Sequence, residues 1–219
     1  MRTVAILPVK TFGRAKQRLG RAFSNRPALA AAMVADVLET LASLPALDEV
    51  IVVTAEPDAA ELARRAGARV VDDPVEAGQS AAVLLGIAAA VADRVLLVPG
   101  DCPALAPEEV AGLLGRPAAD PGVVIVPDRH GSGTNALLLT PPGAIEPSFG
   151  PGSFARHAAS ARAAGADVAV AELHSLGLDV DTPDDLAALR SALARLPGRA
   201  PRTRAVLDRL TPAGHPATA

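Results

Sequence analysis

The chain has 219 residues, of which half are hydrophobic and 21% are charged, and this is enough for one sizeable globular core. A net charge of −3 argues against a general affinity for nucleic acid, and the single cysteine, Cys102, excludes an internal disulfide or a multi-cysteine metal site. Neither a signal peptide nor a charge-free apolar run of about 18 residues is present, so we expect a soluble, cytoplasmic protein without a membrane span.

Apolar, β-branched runs alternate along the chain with segments of helical spacing. Strands are predicted over residues 3–9, 49–55, 94–100, 122–128, 134–140 and 167–173. Helices are predicted over residues 26–44, 58–67, 80–92, 107–115, 152–165 and 182–196. Most strand runs are continuously apolar, as in strands buried on both faces, so the alternation predicts a doubly wound, mostly parallel α/β sheet. We expect one domain over 1–196 and a partly ordered tail over 197–219.

The only two lysines of the chain lie six residues apart, in the segment PVKTFGRAKQRLG that follows the first predicted strand. Residues 1–35 contain no Asp or Glu but seven cations, Arg2, Lys10, Arg14, Lys16, Arg18, Arg21 and Arg26. Sheets of this class bind ligands beyond the carboxyl ends of their strands, and Lys and Arg suit phosphate oxygens. We therefore predict that Lys10, Arg14 and Lys16 bind a polyphosphate; a solvated basic loop is the alternative. Neither GxxxxGK[ST] nor GxGxxG is present.

Two acidic segments follow predicted strands. Asp101, in VPGDCPAL, comes directly after a buried strand, where a metal-bound phosphate would lie, although a helix-capping role is the alternative. In LDVDTPDDL, Asp179 and Asp181 alternate along an extended stretch, so their carboxylates face the same side and can meet Asp101 across a metal ion. Asp184 and Asp185 fall in the first turn of the last helix and are assigned to capping.

Two further helix starts are candidate ligand sites. The segment FGPGSFARH leads into a helix that begins near Gly152, and its free N–H groups with the Ser153 hydroxyl suit a phosphate or carboxylate; an ordinary Ser N-cap is the alternative. His130 and His157, which flank this region, are assigned to structural or phosphate-neighbouring roles rather than to a base.

The other helix start carries Gly78, Gln79 and Ser80. Polar groups at such an end can contact the edge of a nucleotide base, so we predict a base-recognition role for these three residues.

Five segments together resemble one enzyme family. VKTFGRAKQRL, GDCPAL, GSGTNAL, FGPGSFARH and LDVDTPDDL are similar, in this order, to segments of the 2-phospho-L-lactate and phosphoenolpyruvate guanylyltransferases. The resemblance implies a Rossmann-like nucleotidyltransferase fold of the nucleotide-diphospho-sugar transferase type. It also implies transfer of GMP from GTP to a three-carbon phospho-acid, with release of pyrophosphate, in coenzyme F-420 biosynthesis.

The same resemblance implies roles for single residues. It places the phospho-acid at Thr134, Gly150 and Ser153, Mg²⁺ at Asp101 and Asp179 with Asp181 close by, and the GTP phosphates at Lys10 and Lys16. With GTP as co-substrate and Mg²⁺ as cofactor, the predicted catalytic residues are Lys10, Lys16 and Asp101.

The amino-acid composition of the chain is the basis for predicting which phospho-acid is the substrate. A chain rich in Ala, Arg, Gly and Pro is typical of a high-GC bacterium, which favours phosphoenolpyruvate over 2-phospho-L-lactate or 3-phospho-D-glycerate. A molybdenum-cofactor-type nucleotidyltransferase and a non-catalytic nucleotide-binding regulator remain open as different functions on the same fold. The expected partners are small-molecule substrates, with no nucleic acid and no membrane, and the oligomeric state is open.

Overall fold

In a computed structural model, described over residues 1–16, 19 and 25–210, a seven-stranded sheet carries helices on both faces. The strands are β1 (Thr3–Val9), β2 (Glu49–Thr54), β3 (Arg69–Asp72), β4 (Arg94–Leu97), β5 (Gly122–Pro127), β6 (Thr134–Thr140) and β7 (Asp167–Val170). The helices are α1 (Arg26–Ala42), α2 (Pro57–Arg65), α3 (Gln79–Ala89), α4 (Pro107–Leu114), α5 (Ser153–Ala163), α6 (Pro183–Arg195) and α7 (Pro201–Leu210), with one 3₁₀ turn at Phe12–Arg14.

The strand order is β3-β2-β1-β4-β6-β5-β7, and the neighbouring strands run parallel except where β6 pairs with β4 and β5. The prediction of a mostly parallel α/β sheet is therefore confirmed. Because β6 is reversed, its first residues lie at the edge where β5 ends, with Thr134 paired to Pro127. This reversal brings Thr134 and Asn135 to the carboxyl edge of the sheet, beside the ends of β1 and β4.

The central strand β1 shows why the sheet is buried on both faces. Ala5 and Leu7 pack in one apolar cluster with residues of α1, α2 and α4, whereas Val4 and Ile6 pack in a second cluster with residues of α3 and α5. All four side chains are fully buried. Since successive side chains of a strand point to opposite faces, a continuously apolar run is what this position requires.

The strand β3 is absent from the sequence-based prediction. It is only four residues long and lies at the edge of the sheet, with its terminal residues Arg69 and Asp72 exposed, so it lacks the apolar run that marks the inner strands. The predicted strand over 94–100 ends at Leu97, because Pro99 and Gly100 follow in irregular structure that leads to the cleft.

The segment predicted as a partly ordered tail contains the helix α7. The buried carboxylate of Asp36, on α1, accepts hydrogen bonds from the backbone N–H groups of Arg202 at 3.2 Å and Thr203 at 2.8 Å. Leu207 is buried in a cluster with residues of α1 and α6, so the packed fold continues past residue 196. Residues 211–219 of that tail lie outside the described residues. Within the part of the chain that the structure describes, no helix is both long and apolar enough to cross a bilayer.

Gly86 lets α3 pack closely against β1, and its replacement gives a test of this packing. A Cβ atom at Gly86 would lie 2.4 Å from Cγ2 of Ile6 and 3.1 Å from Cγ2 of Val53. We expect Gly86→Ala to lower the free energy of unfolding by about 1–3 kcal/mol through overpacking, measured by denaturant titration. Gly112→Ala on α4 is the matched control, since nothing lies within 4 Å of its added Cβ; it should be neutral or stabilising. Equal effects of the two substitutions would contradict the packing interpretation.

Candidate active site

A cleft of about 750 Å³ opens at the carboxyl edge of the sheet. Its walls come from the loop after β1, the loop after β4, the β5–β6 loop, the start of α5 and the segment before α6. Many of the predicted site residues line it: Lys10, Arg14, Lys16, Gly78, Gln79, Asp101, Thr134, Gly150, Ser153, Asp179 and Asp181. Segments far apart in sequence therefore meet in one site, at the position that parallel sheets use for ligands.

Lys16 lies between two of the predicted metal-binding carboxylates. Its Nζ atom is 2.5 Å from Oδ2 of Asp101 and 3.0 Å from Oδ1 of Asp181, and its side chain is only 7% exposed. Burial alone would lower the pKa of Lys16, but the charges of Asp101 and Asp181 and the hydrogen bonds to them raise it above its usual value. Lys16 is therefore a permanent cation, held within the acidic part of the cleft.

The two carboxylate oxygens of Asp101 differ in their surroundings. Its Oδ1 atom is buried and has no hydrogen-bond partner among the described residues, whereas its Oδ2 atom accepts from Lys16. A buried carboxylate oxygen without a donor is costly unless a ligand satisfies it. The chemistry of this oxygen fits a hard cation such as Mg²⁺.

Asp179 and Asp181 face the cleft as the alternation predicted, while Val180 between them is fully buried in the core. Burial and the charge of Asp101 raise the pKa of Asp179. A hydrogen bond from Asn135 Nδ2 to Asp179 Oδ1, at 3.2 Å, lowers the pKa but does not cancel this rise. Within the described ranges, no three His, Cys, Asp or Glu side chains converge as a metal centre. The three aspartates thus share one wall of the cleft without forming a ready-made three-ligand site.

The predicted capping role of the later acidic pair is confirmed for Asp185. Thr182 and Asp185 form a capping box at the start of α6, in which Oδ2 of Asp185 accepts from the Thr182 backbone N–H at 2.7 Å. The other carboxylate oxygen, Oδ1, pairs with Arg129 at 2.6 Å. This pair ties the β5–β6 loop to the segment that carries Asp179 and Asp181.

The predicted phospho-acid residues form the other end of the cleft. Gly152 is the N-cap of α5, so Ser153 is the first helical residue and does not act as an ordinary Ser N-cap. The Ser153 side chain is 1% exposed, and its hydroxyl has no hydrogen-bond partner among the described residues. Gly150 has φ +114°, a conformation that favours glycine. A buried, unpaired hydroxyl beside a helix N-terminus suits an anionic ligand.

The basic loop after β1 is held by two acidic residues. The backbone N–H and the hydroxyl of Thr11 donate to Oε1 of Glu76 at 2.8 and 2.7 Å, and the Phe12 N–H donates to Glu56 at 2.8 Å. Arg14, which is largely exposed, pairs with Oε2 of Glu76 at 3.1 Å. The loop is therefore fixed against the segment that precedes α3.

Lys10 is an exposed cation of this loop. It lines the cleft, and it forms no ion pair with any residue that the structure describes. Its charge is thus available to a ligand, in contrast to that of Lys16. Arg18 and Arg21, also predicted as cations of the loop, lie outside the described residues.

The three residues predicted to recognise a base do not act alike. Gly78, with φ +116°, and Gln79 line the cleft at the start of α3. The Ser80 hydroxyl instead accepts a hydrogen bond from the Phe149 backbone N–H at 2.9 Å. Ser80 therefore connects the start of α3 to the segment before α5.

Several polar residues of the cleft are absent from the sequence-based prediction, among them Glu76, Arg129 and Asn135. Asn135 Nδ2 donates to the Leu176 carbonyl at 2.6 Å as well as to Asp179, and so fixes the acidic segment to β6. Because Asn135 directly follows Thr134, it could be recognised as a cleft residue from the sequence, but only if β6 were known to begin at the carboxyl edge of the sheet. Glu76 and Arg129 act through contacts distant in sequence, and no local pattern marks them.

The topology and the position of the cleft define the fold class of the nucleotidyltransferases and nucleotide-diphospho-sugar transferases. A nucleotidyl transferase from Methanothermobacter superposes with a TM-score of 0.68 at 20% identity, covering 89% of this chain and 99% of that one. A protein from Desulfovibrio desulfuricans, described as a nucleotide-diphospho-sugar transferase, superposes with a TM-score of 0.72 at 21% identity, covering 96% and 97%. These similarities confirm the predicted fold.

Sequence comparison then identifies the family. The model of the family described as "Guanylyl transferase CofC like" matches residues 3–193, and the chain belongs to this family. A relative from Conexibacter woesei, named phosphoenolpyruvate guanylyltransferase, is 52% identical over 96% of this chain and 97% of its own. A relative of the same name from Sphaerobacter thermophilus is 38% identical over 85% and 91%. The predicted resemblance and the predicted enzyme class, a nucleotidyltransferase, are both confirmed.

Proposed function

We propose that this protein joins GMP from GTP to phosphoenolpyruvate, releasing pyrophosphate and giving enolpyruvyl-diphospho-guanosine for coenzyme F-420 biosynthesis. The observation that carries the proposal is that one cleft is lined both by the Lys16–Asp101 pair and by the buried Ser153 hydroxyl, which has no partner among the described residues. The lysine–carboxylate group suits a metal-bound triphosphate, and the hydroxyl suits a small phosphorylated acid. The names of relatives up to 52% identical support phosphoenolpyruvate as that acid.

The reaction requires charge neutralisation rather than a base. A phosphate oxygen of the acid attacks the α-phosphorus of GTP, and the bond from that phosphorus to the bridging oxygen of the β-phosphate breaks as pyrophosphate leaves. A phosphomonoester has a second pKa near 6, so the attacking oxygen is already deprotonated at pH 7. Two anions must approach each other, and cations and oriented N–H groups reduce the repulsion between them.

The basic loop would bind the triphosphate. Lys10, which has no ion pair with a described residue, and Arg14, which pairs with Glu76, both line the cleft and are assigned to the β- and γ-phosphates. Lys16 is more deeply placed, between Asp101 and Asp181, and is assigned to the reacting region. Gly78 and Gln79 are assigned to the guanine edge, since they line the cleft beside this loop.

The carboxylates would hold Mg²⁺. The unpaired Oδ1 atom of Asp101 and the nearby Asp179 are the proposed ligands, with Asp181 close by. When bound, the cation would neutralise phosphate charge and stabilise the leaving pyrophosphate. Few protein ligands are needed, because Mg²⁺ keeps several waters and shares substrate phosphates.

The acid would lie at the start of α5. The hydroxyls of Thr134 and Ser153 and the backbone at Gly150 are the proposed contacts, and the N-terminus of α5 favours an anion there. We propose that the partners are small molecules only and that the enzyme acts in the cytoplasm.

The deciding experiment is pyrophosphate release by the purified full-length protein with GTP and Mg²⁺. Phosphoenolpyruvate, 2-phospho-L-lactate and 3-phospho-D-glycerate are offered separately, with ATP and CTP as nucleotide controls. We expect release with phosphoenolpyruvate and GTP alone, and release at least about 10²-fold slower from Asp101→Asn prepared identically, which controls for contaminating activity. Release with another acid would overturn the substrate, and silence with every pair would overturn the reaction.

A further inference from the structure

His157 is a fully buried histidine whose two ring nitrogens are both engaged. Nδ1 lies 2.9 Å from the Thr134 hydroxyl oxygen, and Nε2 lies 2.8 Å from the backbone nitrogen of Ser148. Phe149 packs edge-on against the ring at a centroid distance of 5.2 Å. The ring therefore lies between a residue of β6 and the loop that carries Gly150.

These two contacts determine where the proton of the ring lies. A backbone N–H can only donate, so Nε2 must accept from Ser148 and cannot carry a proton. In a neutral imidazole the proton is then on Nδ1, which donates to the Thr134 oxygen. Burial, with a further effect of the Arg156 charge, lowers the pKa of His157 to about 4, which keeps the ring neutral at physiological pH.

The direction of this hydrogen bond determines what Thr134 can offer a ligand. Its oxygen accepts from His157, so its own hydrogen is left to donate elsewhere. No second partner of the Thr134 hydroxyl is found among the described residues, and Thr134 lines the cleft. A hydroxyl that must donate into an anion site is matched to a phosphate or carboxylate oxygen.

We propose that His157 is a positioning residue, which fixes the Thr134 hydroxyl as a hydrogen-bond donor to the phospho-acid. It acts through Thr134 and does not touch the substrate. The same ring anchors Ser148, while Arg156 donates to the carbonyls of Ser148 and Pro151, so this turn of α5 also holds the loop before Gly150. The identity of the acid rests on the function proposed above, whereas the tautomer of His157 does not.

Two substitutions separate the ring nitrogens. His157→Gln places an acceptor near the position of Nε2, so it keeps the Ser148 contact and removes the donor to Thr134. His157→Asn places a donor near the position of Nδ1 and removes the acceptor for Ser148. We expect His157→Gln to raise the KM for phosphoenolpyruvate about tenfold and to leave the KM for GTP unchanged, since a hydrogen bond to a charged group is lost. His157→Asn should raise that KM less.

A double-mutant cycle then distinguishes positioning from general support of the fold. In a Thr134→Val background there is no hydroxyl to orient, so adding His157→Gln should change the KM for phosphoenolpyruvate by less than about twofold. Independent, multiplicative effects of the two substitutions would overturn the proposal. So would an increase in the KM for GTP equal to that for the acid.

The tautomer itself is measured by ¹⁵N NMR of the histidine ring in the wild-type protein at pH 7. A proton on Nδ1 supports the proposal, and a proton on Nε2 overturns it, whatever the folding of any variant. Absence of pyrophosphate release by the wild type would count against the proposed reaction and its substrate, and would leave the tautomer of His157 and its contact with Thr134 unaffected. In that case calorimetric binding of phosphoenolpyruvate to the wild type and to His157→Gln replaces the KM comparison, and equal affinities would overturn the inference.

Discussion

Replacing Lys16 with methionine is expected to reduce kcat by about 10³-fold. The side chain places a buried positive charge between Asp101 and Asp181, and such a pre-oriented charge cannot be replaced by solvent during the reaction. Methionine keeps much of the volume and removes the charge. The measurement is pyrophosphate release at saturating GTP, phosphoenolpyruvate and Mg²⁺.

Stability gives a second readout for the same substitution. Without Lys16, the carboxylates of Asp101 and Asp181 lose the cation that they share, so the thermal midpoint of Lys16→Met should fall. Added Mg²⁺ should raise this midpoint more in the variant than in the wild type, because it restores positive charge between the carboxylates. Lys10→Met is the matched control: Lys10 is exposed and has no ion pair with a described residue, so its midpoint should be unchanged while the KM for GTP rises. Activity of Lys16→Met within tenfold of the wild type would refute its assignment to the reacting region.

Substituting Asp101 with asparagine is expected to lower kcat by about 10²–10³-fold without unfolding the protein. The amide has almost the same shape, but it removes the negative charge that holds Lys16 and the proposed Mg²⁺. The unpaired Oδ1 atom supports this prediction, because its burial without a partner among the described residues is explained by a ligand. Activity should be measured over a range of Mg²⁺ concentrations, since a weakened metal site shows first as a higher requirement for the cation.

The control for Asp101 lies at the other end of the same strand. Asp93, directly before β4, accepts a hydrogen bond from the backbone N–H of Arg2 and is exposed. Asp93→Asn removes one charge far from the cleft and should leave kcat within twofold of the wild type. If Asp101→Asn behaves like Asp93→Asn, the assignment of Asp101 to the metal is wrong.

Much of the fold is predictable because the inner strands carry their signal locally. Residues 4–7 of β1 are apolar at successive positions and fully buried, and they pack alternately in the two apolar clusters on either side of the sheet. The site is predictable for a related reason: Lys10 directly follows β1, Asp101 lies in the loop after β4, and the carboxyl ends of these two strands share one edge of the sheet. The short edge strand β3 lacks such a run, and the reversal of β6 depends on pairing between strands that no local pattern records.

The contacts inside the site are less accessible from the sequence. Lys16 and Asp181 are predicted to bind different ligands, whereas the structure pairs them across 165 positions of the chain. Ser80 is predicted to contact a base; it is not among the described residues that line the cleft, and its hydroxyl oxygen accepts from the Phe149 N–H. The type of a residue limits which groups its side chain can bind, but the packing of the chain determines which of those groups lies close to it.

The reversal of β6 divides the cleft between two parts of the chain. The loop after β1 and the start of α3 supply the end rich in lysine, whereas the β5–β6 loop and α5 supply the hydroxyl-rich end. Had β6 run parallel to β5, Thr134 would lie one strand length away, about 20 Å for seven residues. Substitutions in the loop between β5 and β6 that keep Arg129, which ties this loop to the acidic segment, are therefore expected to affect the hydroxyl-rich end more than the lysine-rich end. The architecture therefore allows the phospho-acid substrate to change while the nucleotide substrate stays the same.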